Sequence, residues 1–319
     1  MGEDGTMTTS ADVHAAAARI AGHTRVTPVF EADPGTFPPA ARVWLKLEQL
    51  QHTGSFKARG AFNRILSAAE KGMIPAVGVV AASGGNAGLA VAYAAARQNV
   101  PARVYVPETA PAVKVARLQK YGAEVVQAGS RYAEAYELAV KYAAEVGALF
   151  CHPYDQPEVC AGQGTLGLEL LEQTGGELDT VVVAAGGGGL MAGIAAATEG
   201  RATVVAVEPD TIPTLNAALA AGGPVDVGVS GIATDSLGAT RLGEIPYAVA
   251  ERAGVRSVLV RDADISAARE LLWDRYRMAV ENGGAAAFAA LLVGAYQPSA
   301  GERIAVVLCG ANTDPATLA

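Results

Sequence analysis

Gly54-Ser55-Phe56-Lys57-Ala58-Arg59-Gly60 sets a lysine among small residues and turn formers, immediately ahead of an amphipathic run. Gly54 and Ser55 read as a turn and an N-cap, and Ala61, Phe62, Ile65 and Leu66 recur at helical spacing, so Lys57 falls in the first turn of a helix. That end of a helix carries partial positive charge, which opposes a protonated amine and favours the neutral, nucleophilic form. A neutral lysine amine condenses with a carbonyl to give a Schiff base. A lysine at such a position also snorkels to solvent in many helices, so the stretch needs support from the rest of the chain.

Outward from Lys57 the sequence alternates between strand and helix. A helix is expected from Ser10 to Ala21, Thr27-Pro28-Val29 opens an extended segment, and Val43-Trp44-Leu45-Lys46-Leu47-Glu48 alternates as a strand should before the lysine. Val77 to Ala82 reads as a short buried strand ending in Ser83-Gly84-Gly85-Asn86-Ala87-Gly88, ahead of the apolar helix Leu89 to Arg97. A strand at 104–107, a helix near 111–121, a strand at 124–126 and a helix at 131–146 continue the pattern. Past His152-Pro153, the turn Gly162-Gln163-Gly164-Thr165 reads as the start of a helix, and the strand Thr180 to Ala184 runs into Gly186-Gly187-Gly188-Gly189. Val204 to Val207 closes on Glu208-Pro209, and a connection rich in glycine and alanine reaches about Ala239. A strand at 255–260, helices at 264–280 and 284–296, and a strand at 304–308 finish the chain. Such alternation defines an α/β fold of mostly parallel sheet covered by helices.

With 319 residues, 51% hydrophobic content and mean hydropathy +0.25, the chain buries either one large core or two modest ones. A net charge of −8 and the lack of any long run of Lys and Arg argue against a nucleic-acid partner. Cys151, Cys160 and Cys309 are odd in number and lack CxxC spacing, which implies neither a disulfide framework nor a zinc site and fits a reducing cytoplasm. No apolar run is long enough for a signal peptide or an uninterrupted membrane span. Met1-Gly2-Glu3-Asp4-Gly5-Thr6 fits the loose myristoylation pattern, although so short a pattern also arises by chance in an ordinary terminus.

Four glycines directly after an apolar strand leave backbone N–H groups free to converge on an anion, and the following helix adds its dipole. Gly187, Gly189 and Ala192 equally satisfy G-x-G-x-x-A, with Glu208 at the distance of a ribose-binding acid, so a dinucleotide-binding oxidoreductase is a rival reading. The Ser83–Gly88 loop offers N–H groups, a hydroxyl and the Asn86 amide at a helix start, which suits a carboxylate or a phenolic oxygen and equally an ordinary capped turn. Cys309, followed by Gly310-Ala311-Asn312, is a small, weakly acidic thiol that would also serve as a core residue. Glu281 reads as the end of a helix ahead of Asn282-Gly283-Gly284, where a carboxylate is ordinarily solvated.

Read together, Ser55-Phe56-Lys57-Ala58-Arg59-Gly60, Ser83-Gly84-Gly85-Asn86-Ala87-Gly88, Gly186 to Leu190 and Cys309-Gly310-Ala311-Asn312 resemble the pyridoxal phosphate enzymes of the tryptophan synthase β-subunit fold, in order and in spacing. Within that fold the chain resembles the serine/threonine dehydratases and serine racemases from about residue 10 onward, nearest to the catabolic, liver-type dehydratases. The resemblance implies fold type II, with 1–75 and 154–319 forming a large cofactor-binding domain and 76–153 a small one that carries the substrate-carboxylate loop. It assigns Lys57 as the Schiff-base lysine, Phe56 as a neighbour of the cofactor ring, Asn86 as partner of its 3'-oxygen, and Gly186, Gly187, Gly188, Gly189 and Leu190 as the phosphate loop. Cys309 would face the pyridine nitrogen, Glu281 joins the cofactor-binding set, and Ser83, Gly84, Gly85, Asn86 and Ala87 would bind the substrate.

The activity so implied is dehydration of L-threonine or L-serine to a 2-oxo acid and ammonia, with Lys57 as general base and acid help to the leaving hydroxyl from the cofactor phosphate. A weakly polar partner such as Cys309 does not hold the ring nitrogen protonated, which disfavours a long-lived carbanion and makes elimination the natural exit. In the racemases a second serine of the asparagine loop supplies an opposed base, and that slot here is Gly84. At the family's cation site Glu208 is kept while Thr214 replaces an aspartate of the racemases, which suggests a monovalent cation such as K⁺ rather than a divalent one. Ser236 takes the place of a family glycine near the ring. The chain ends shortly after Cys309, so feedback control through a regulatory domain is not expected; a homodimer and a cytoplasmic location are. Other readings are a dehydratase of 3-hydroxyaspartate or phenylserine, a serine racemase, a β-replacement enzyme, or a non-catalytic binder on the same fold.

Overall fold

The computed structural model describes residues 7–33, 35–37 and 41–318; the acylation pattern at 1–6 lies outside them. Helix α1 (Ser10–Ile20) starts in a capping box, in which Thr9 Oγ1 accepts from Asp12 N and Asp12 accepts from Thr9 N. Strands β1 (Val29–Glu31) and β2 (Arg42–Lys46) follow, and two short 3₁₀ turns carry the chain into α2 (Lys57–Glu70). Strand β3 (Val79–Ala82), α3 (Asn86–Arg97), β4 (Ala102–Val106), α4 (Ala112–Lys120), β5 (Glu124–Gln127), α5 (Tyr132–Val146) and β6 (Leu149–Phe150) come next. Then come α6 (Pro157–Gln173), β7 (Thr180–Ala184), α7 (Gly189–Thr198), β8 (Thr203–Pro209), α8 (Thr214–Ala221), α9 (Thr234–Leu237) and α10 (Glu244–Arg252). Strand β9 (Arg256–Val260), α11 (Asp262–Tyr276), α12 (Asn282–Leu292) and β10 (Arg303–Val307) complete the order.

The strands form two sheets. The larger has the order β1-β2-β10-β7-β8-β9, with β1 antiparallel at one edge and every other pairing parallel. The smaller, β5-β4-β3-β6, is parallel throughout and takes all its strands from residues 79–150. Strand β7 is buried at every position, as the run Thr180-Val181-Val182-Val183-Ala184 requires of a strand covered on both faces. Helix α2 buries Ala58, Ala61, Phe62 and Ile65 in one cluster with β3, β4 and α3, so the helix that begins at Lys57 packs on the smaller sheet's side.

Several local expectations need correction. Gly162-Gln163-Gly164-Thr165 lies inside α6, which begins at Pro157, where a proline's missing N–H costs nothing. Its glycines serve a close helix crossing instead: a Cβ at Gly162 would sit 2.7 Å from Arg59 O, one at Gly164 2.5 Å from Gly193 O, and one at Gly193 would overlap Cys160 O. Ser55 is not the N-cap of α2. It is extended and bridged to Gly310, while Phe56 takes the N-cap position and its N–H donates to Cys309 O at 3.1 Å. Helix α11 stops at Tyr276 because Arg277 turns left-handed (φ 55°), and Glu281 is the N-cap of α12, so it begins a helix. The connection before Ala239 contains α8 and α9, β1 is the extended segment opened at Thr27-Pro28-Val29, and β6 and α10 are further elements that the pattern did not announce.

Candidate active site

Strands β2, β10 and β7 are parallel neighbours in the larger sheet, and the chain leaving each at its C-terminal end reaches the same crevice. In that way Lys57, Cys309 and Gly186–Gly189, far apart in sequence, become lining residues of one cavity, together with Phe56, Tyr154, Leu190, Ser236, Leu237 and Glu281.

Lys57, the first residue of α2, keeps part of its surface toward the cavity. Its Nζ donates to Pro153 O at 2.7 Å and lies 4.9 Å from the centre of the Phe56 ring. Burial lowers the amine from 10.5 to about 8, against the pull of Cys309, Cys160 and Glu281, so desolvation joins the helix terminus in favouring the neutral form. Cys309 is buried, its thiol donates to Gly283 O at 3.7 Å, and burial together with Glu281 pushes it far above the usual thiol range. It stands in the cavity as a neutral group.

The glycine loop is a cradle that no other residue type would leave open. A Cβ at Gly187 would overlap the Tyr154 ring, one at Gly189 would lie 2.7 Å from Tyr154 O, and Gly188 holds φ 89° with Pro246 Cβ 2.6 Å from where its own Cβ would stand. Helix α7 begins at Gly189, so the N–H groups of its first turn have no partner within the helix and point toward the crevice end. A phosphate dianion fits these donors, and an aldehyde within reach of Lys57 fits the lysine.

Asn86 opens α3, with its Nδ2 donating to Glu281 Oε1 at 2.6 Å and its Oδ1 accepting from Asn312 Nδ2 at 2.6 Å. Within the same loop Ser83 Oγ accepts from Gly85 N at 3.2 Å. Glu281 is only 7% exposed, which corrects the solvated carboxylate expected from sequence. Burial raises it to about 7, opposed by hydrogen bonds from Asn86 and from the backbone of Asn312.

Tyr154, which the sequence did not single out, covers the glycine loop. Its position is set by His152, whose imidazole burial lowers to about 4, so that neutral Nδ1 accepts from Tyr154 N (3.2 Å) and Asp155 N (2.7 Å). The break at His152-Pro153 was the sequence signal for this loop. Ser236 accepts from Gly283 N at 3.0 Å and lines the cavity as well.

Glu208 is fully buried away from the cavity and caps α8: its oxygens accept from Leu215 N (2.7 Å), Asn216 N (2.9 Å) and Thr214 Oγ1 (2.9 Å). A carboxylate held in this way does not reach a ribose, which removes the acid that the dinucleotide reading required beside Gly187, Gly189 and Ala192. Among the described residues no group of three or more His, Cys, Asp or Glu is arranged to hold a metal ion.

A lowered lysine, a glycine cradle at a helix start and a neutral thiol in one cavity at the carboxyl ends of parallel strands fit an enzyme with a phosphate-bearing carbonyl cofactor. The chain belongs to the pyridoxal-phosphate dependent enzyme family, whose model matches residues 20–310, and its cofactor is pyridoxal 5'-phosphate. It is 40% identical over 305 residues to a phenylserine dehydratase of Ralstonia pickettii, covering 95% of this chain and 92% of that one. An L-threo-3-hydroxyaspartate ammonia-lyase of Pseudomonas sp is 36% identical over 307 residues, with 95% of both chains covered. The crystal structure of a T.th. threonine deaminase superposes with a TM-score of 0.87 at 36% identity, over 96% of this chain and 99% of that one.

Proposed function

We propose that the protein is a pyridoxal-phosphate-dependent ammonia-lyase that removes the β-hydroxyl of an L-β-hydroxy amino acid, L-threonine or L-serine, and releases a 2-oxo acid and ammonia. The observation that carries this reading is a single amine base: Lys57, lowered to about 8, shares the cavity with the glycine cradle, while Gly84 in the asparagine loop brings no second base. Racemisation needs two opposed bases, and elimination needs one.

When bound, the cofactor supplies a carbonyl for Lys57 and an electron sink for the charge left on the substrate α-carbon. Lys57, as the neutral amine, would take the substrate α-proton, with Pro153 O available to orient it. The N–H groups around Gly186–Leu190 would hold the phosphate, and the α3 N-terminus with Ser83, Gly84, Gly85, Asn86 and Ala87 would receive the substrate carboxylate. Phe56, which lines the cavity next to Lys57, would pack beside the cofactor ring. Cys309, as a protonated thiol lining the cavity, would offer a ring nitrogen no carboxylate partner, which favours loss of the β-hydroxyl over a long-lived charge on the α-carbon.

A bulkier β-substituent is the second reading, favoured by two relatives that span almost the whole chain and are named for phenylserine and 3-hydroxyaspartate. Residues 1–75 and 154–319 as a cofactor domain, 76–153 as a substrate-loop domain, a homodimer, a cytoplasmic location and K⁺ near Glu208 complete the proposal. Its support is the buried, free state of all three thiols for the compartment.

The test is a visible spectrum of the purified protein, followed by L-threonine, L-serine, phenylserine and 3-hydroxyaspartate in turn, with 2-oxo acid release coupled to an NADH-dependent dehydrogenase. A cofactor band with 2-oxo acid formation supports the lyase and ranks the substrates. A band with no 2-oxo acid from any of the four would refute the activity and leave the cofactor standing.

A further inference from the structure

The polarity of one buried hydrogen-bond chain fixes how the Asn86 amide faces. Thr53 O, a carbonyl, only accepts, so the Asn312 atom 2.8 Å from it is the amide nitrogen. That nitrogen also lies 2.6 Å from Asn86 and uses its second hydrogen there, which makes the Asn86 atom its oxygen. Asn86 therefore turns Nδ2 toward Glu281, whose Oε1 accepts at 2.6 Å. An amide nitrogen carries two hydrogens, and among the described residues the second hydrogen of Asn86 has no protein acceptor.

Each link is itself held. Thr53 keeps a left-handed φ of 63°, rare for a β-branched residue, and so aims its carbonyl at Asn312. A Cβ at Gly310 would overlap Glu281 Oε1, so a glycine is required beside the carboxylate. Arg269 of α11 donates to Val280 O (2.9 Å) and to Thr313 Oγ1 (2.8 Å), tying together the two segments that carry Glu281 and Asn312. The titratable or charged groups around Glu281 are Lys57 from α2, Asp235 from α9, Arg269 from α11 and Cys309 after β10.

Resting on the pyridoxal phosphate reading of the site, we infer that Glu281 and Asn312 are positioning residues for Asn86: they lock its amide so that one N–H is offered to the phenolic oxygen of the cofactor. Glu281 then acts on the chemistry through Asn86. An ionised carboxylate only accepts and so enforces this orientation, whereas a glutamine presents either end of its amide. Burial has raised Glu281 to about 7, so acid converts it into a competing donor and releases the lock.

The experiment measures cofactor affinity by titrating apo-protein and following the visible band, for wild type, Asn86→Ala, Glu281→Gln and the double variant, with apo-protein unfolding temperature as the control for folding. Each single change should weaken affinity about tenfold, the scale of one charge-assisted hydrogen bond. The double variant should be no weaker than Asn86→Ala to within about a factor of two. An acid-side change of the wild-type band with its midpoint near 7 should be absent from Glu281→Gln. Additive losses in the double variant, or a Glu281→Gln protein of wild-type affinity, would overturn the inference. If Glu281→Gln does not fold, Asn312→Ala replaces it in the same cycle, with the same expectation and the same refuting result. A wild-type protein that shows no band with pyridoxal phosphate would instead refute the Lys57 assignment, and this inference with it.

Discussion

In the proposed mechanism Lys57 attacks the cofactor carbonyl as a neutral amine, and its lowered value of about 8 sets where that happens. In apo-protein the rate at which the visible band forms should rise about tenfold per pH unit below 8 and level off above it, since only the neutral amine reacts. A rate still climbing toward 10.5 would mean that the amine is solvated. Lys57→Ala should lower 2-oxo acid release by at least about a thousandfold in the coupled assay, the range expected for loss of a general base and covalent anchor; full turnover would sink the mechanism. Gly84 allows the converse test. A Cβ there would meet Val106 Cγ1 at 3.5 Å and Lys114 Cδ at 3.9 Å, ordinary contact distances, so Gly84→Ser should fold normally. If the missing second base is what restricts the enzyme to elimination, this variant gains D-serine formation from L-serine, measured by chiral chromatography.

Helices α6 and α7 meet through glycines, and α2 is anchored by charge. Gly193→Ala would drive a methyl group into Cys160 O, and a cost of about 1–3 kcal/mol, read as a lower midpoint in denaturant unfolding, is expected from overpacking. Arg59 is fully buried two residues beyond the lysine. It donates to Glu48 Oε1 and Glu169 Oε1, both at 2.6 Å, while Lys46 Nζ reaches Glu169 Oε2 at 2.6 Å, so two cations and two carboxylates cancel. Arg59→Ala leaves Glu48 buried without its counter-ion, and a loss of about 3–5 kcal/mol of stability should appear in the same measurement. The helical periodicity of α2, the extent of α1 and the buried run of β7 were legible in the sequence because each is a short-range pattern. The interior of α6 was misread as a helix start because a glycine pair signals a turn locally, and its use at a helix crossing depends on Gly193 and Arg59, which lie elsewhere in the chain.

At the scale of the whole molecule, the two sheets and the crevice at their strand ends make the cofactor a ligand of the folded state alone. At about one hundred times its dissociation constant it should add about 2.7 kcal/mol of stability, seen as a higher unfolding temperature of holo- over apo-protein. The proposed homodimer should sediment at twice 32.3 kDa. Local chemistry determined much of this protein by itself: the alternation of strand and helix, the lysine at a helix start, the glycine loop, the asparagine loop and the cysteine after the last strand all follow from residue types and spacings within a few turns of chain. The tertiary structure alone decided that β10 lies between β2 and β7, which brings Lys57, Gly186–Gly189 and Cys309 to one cavity. It also decided that Tyr154 covers the cradle, that Glu281 is a buried partner of Asn86, and that Lys57 and Glu281 stand near 8 and 7. Strand order and desolvation are set by segments distant in sequence, and no local pattern carries them.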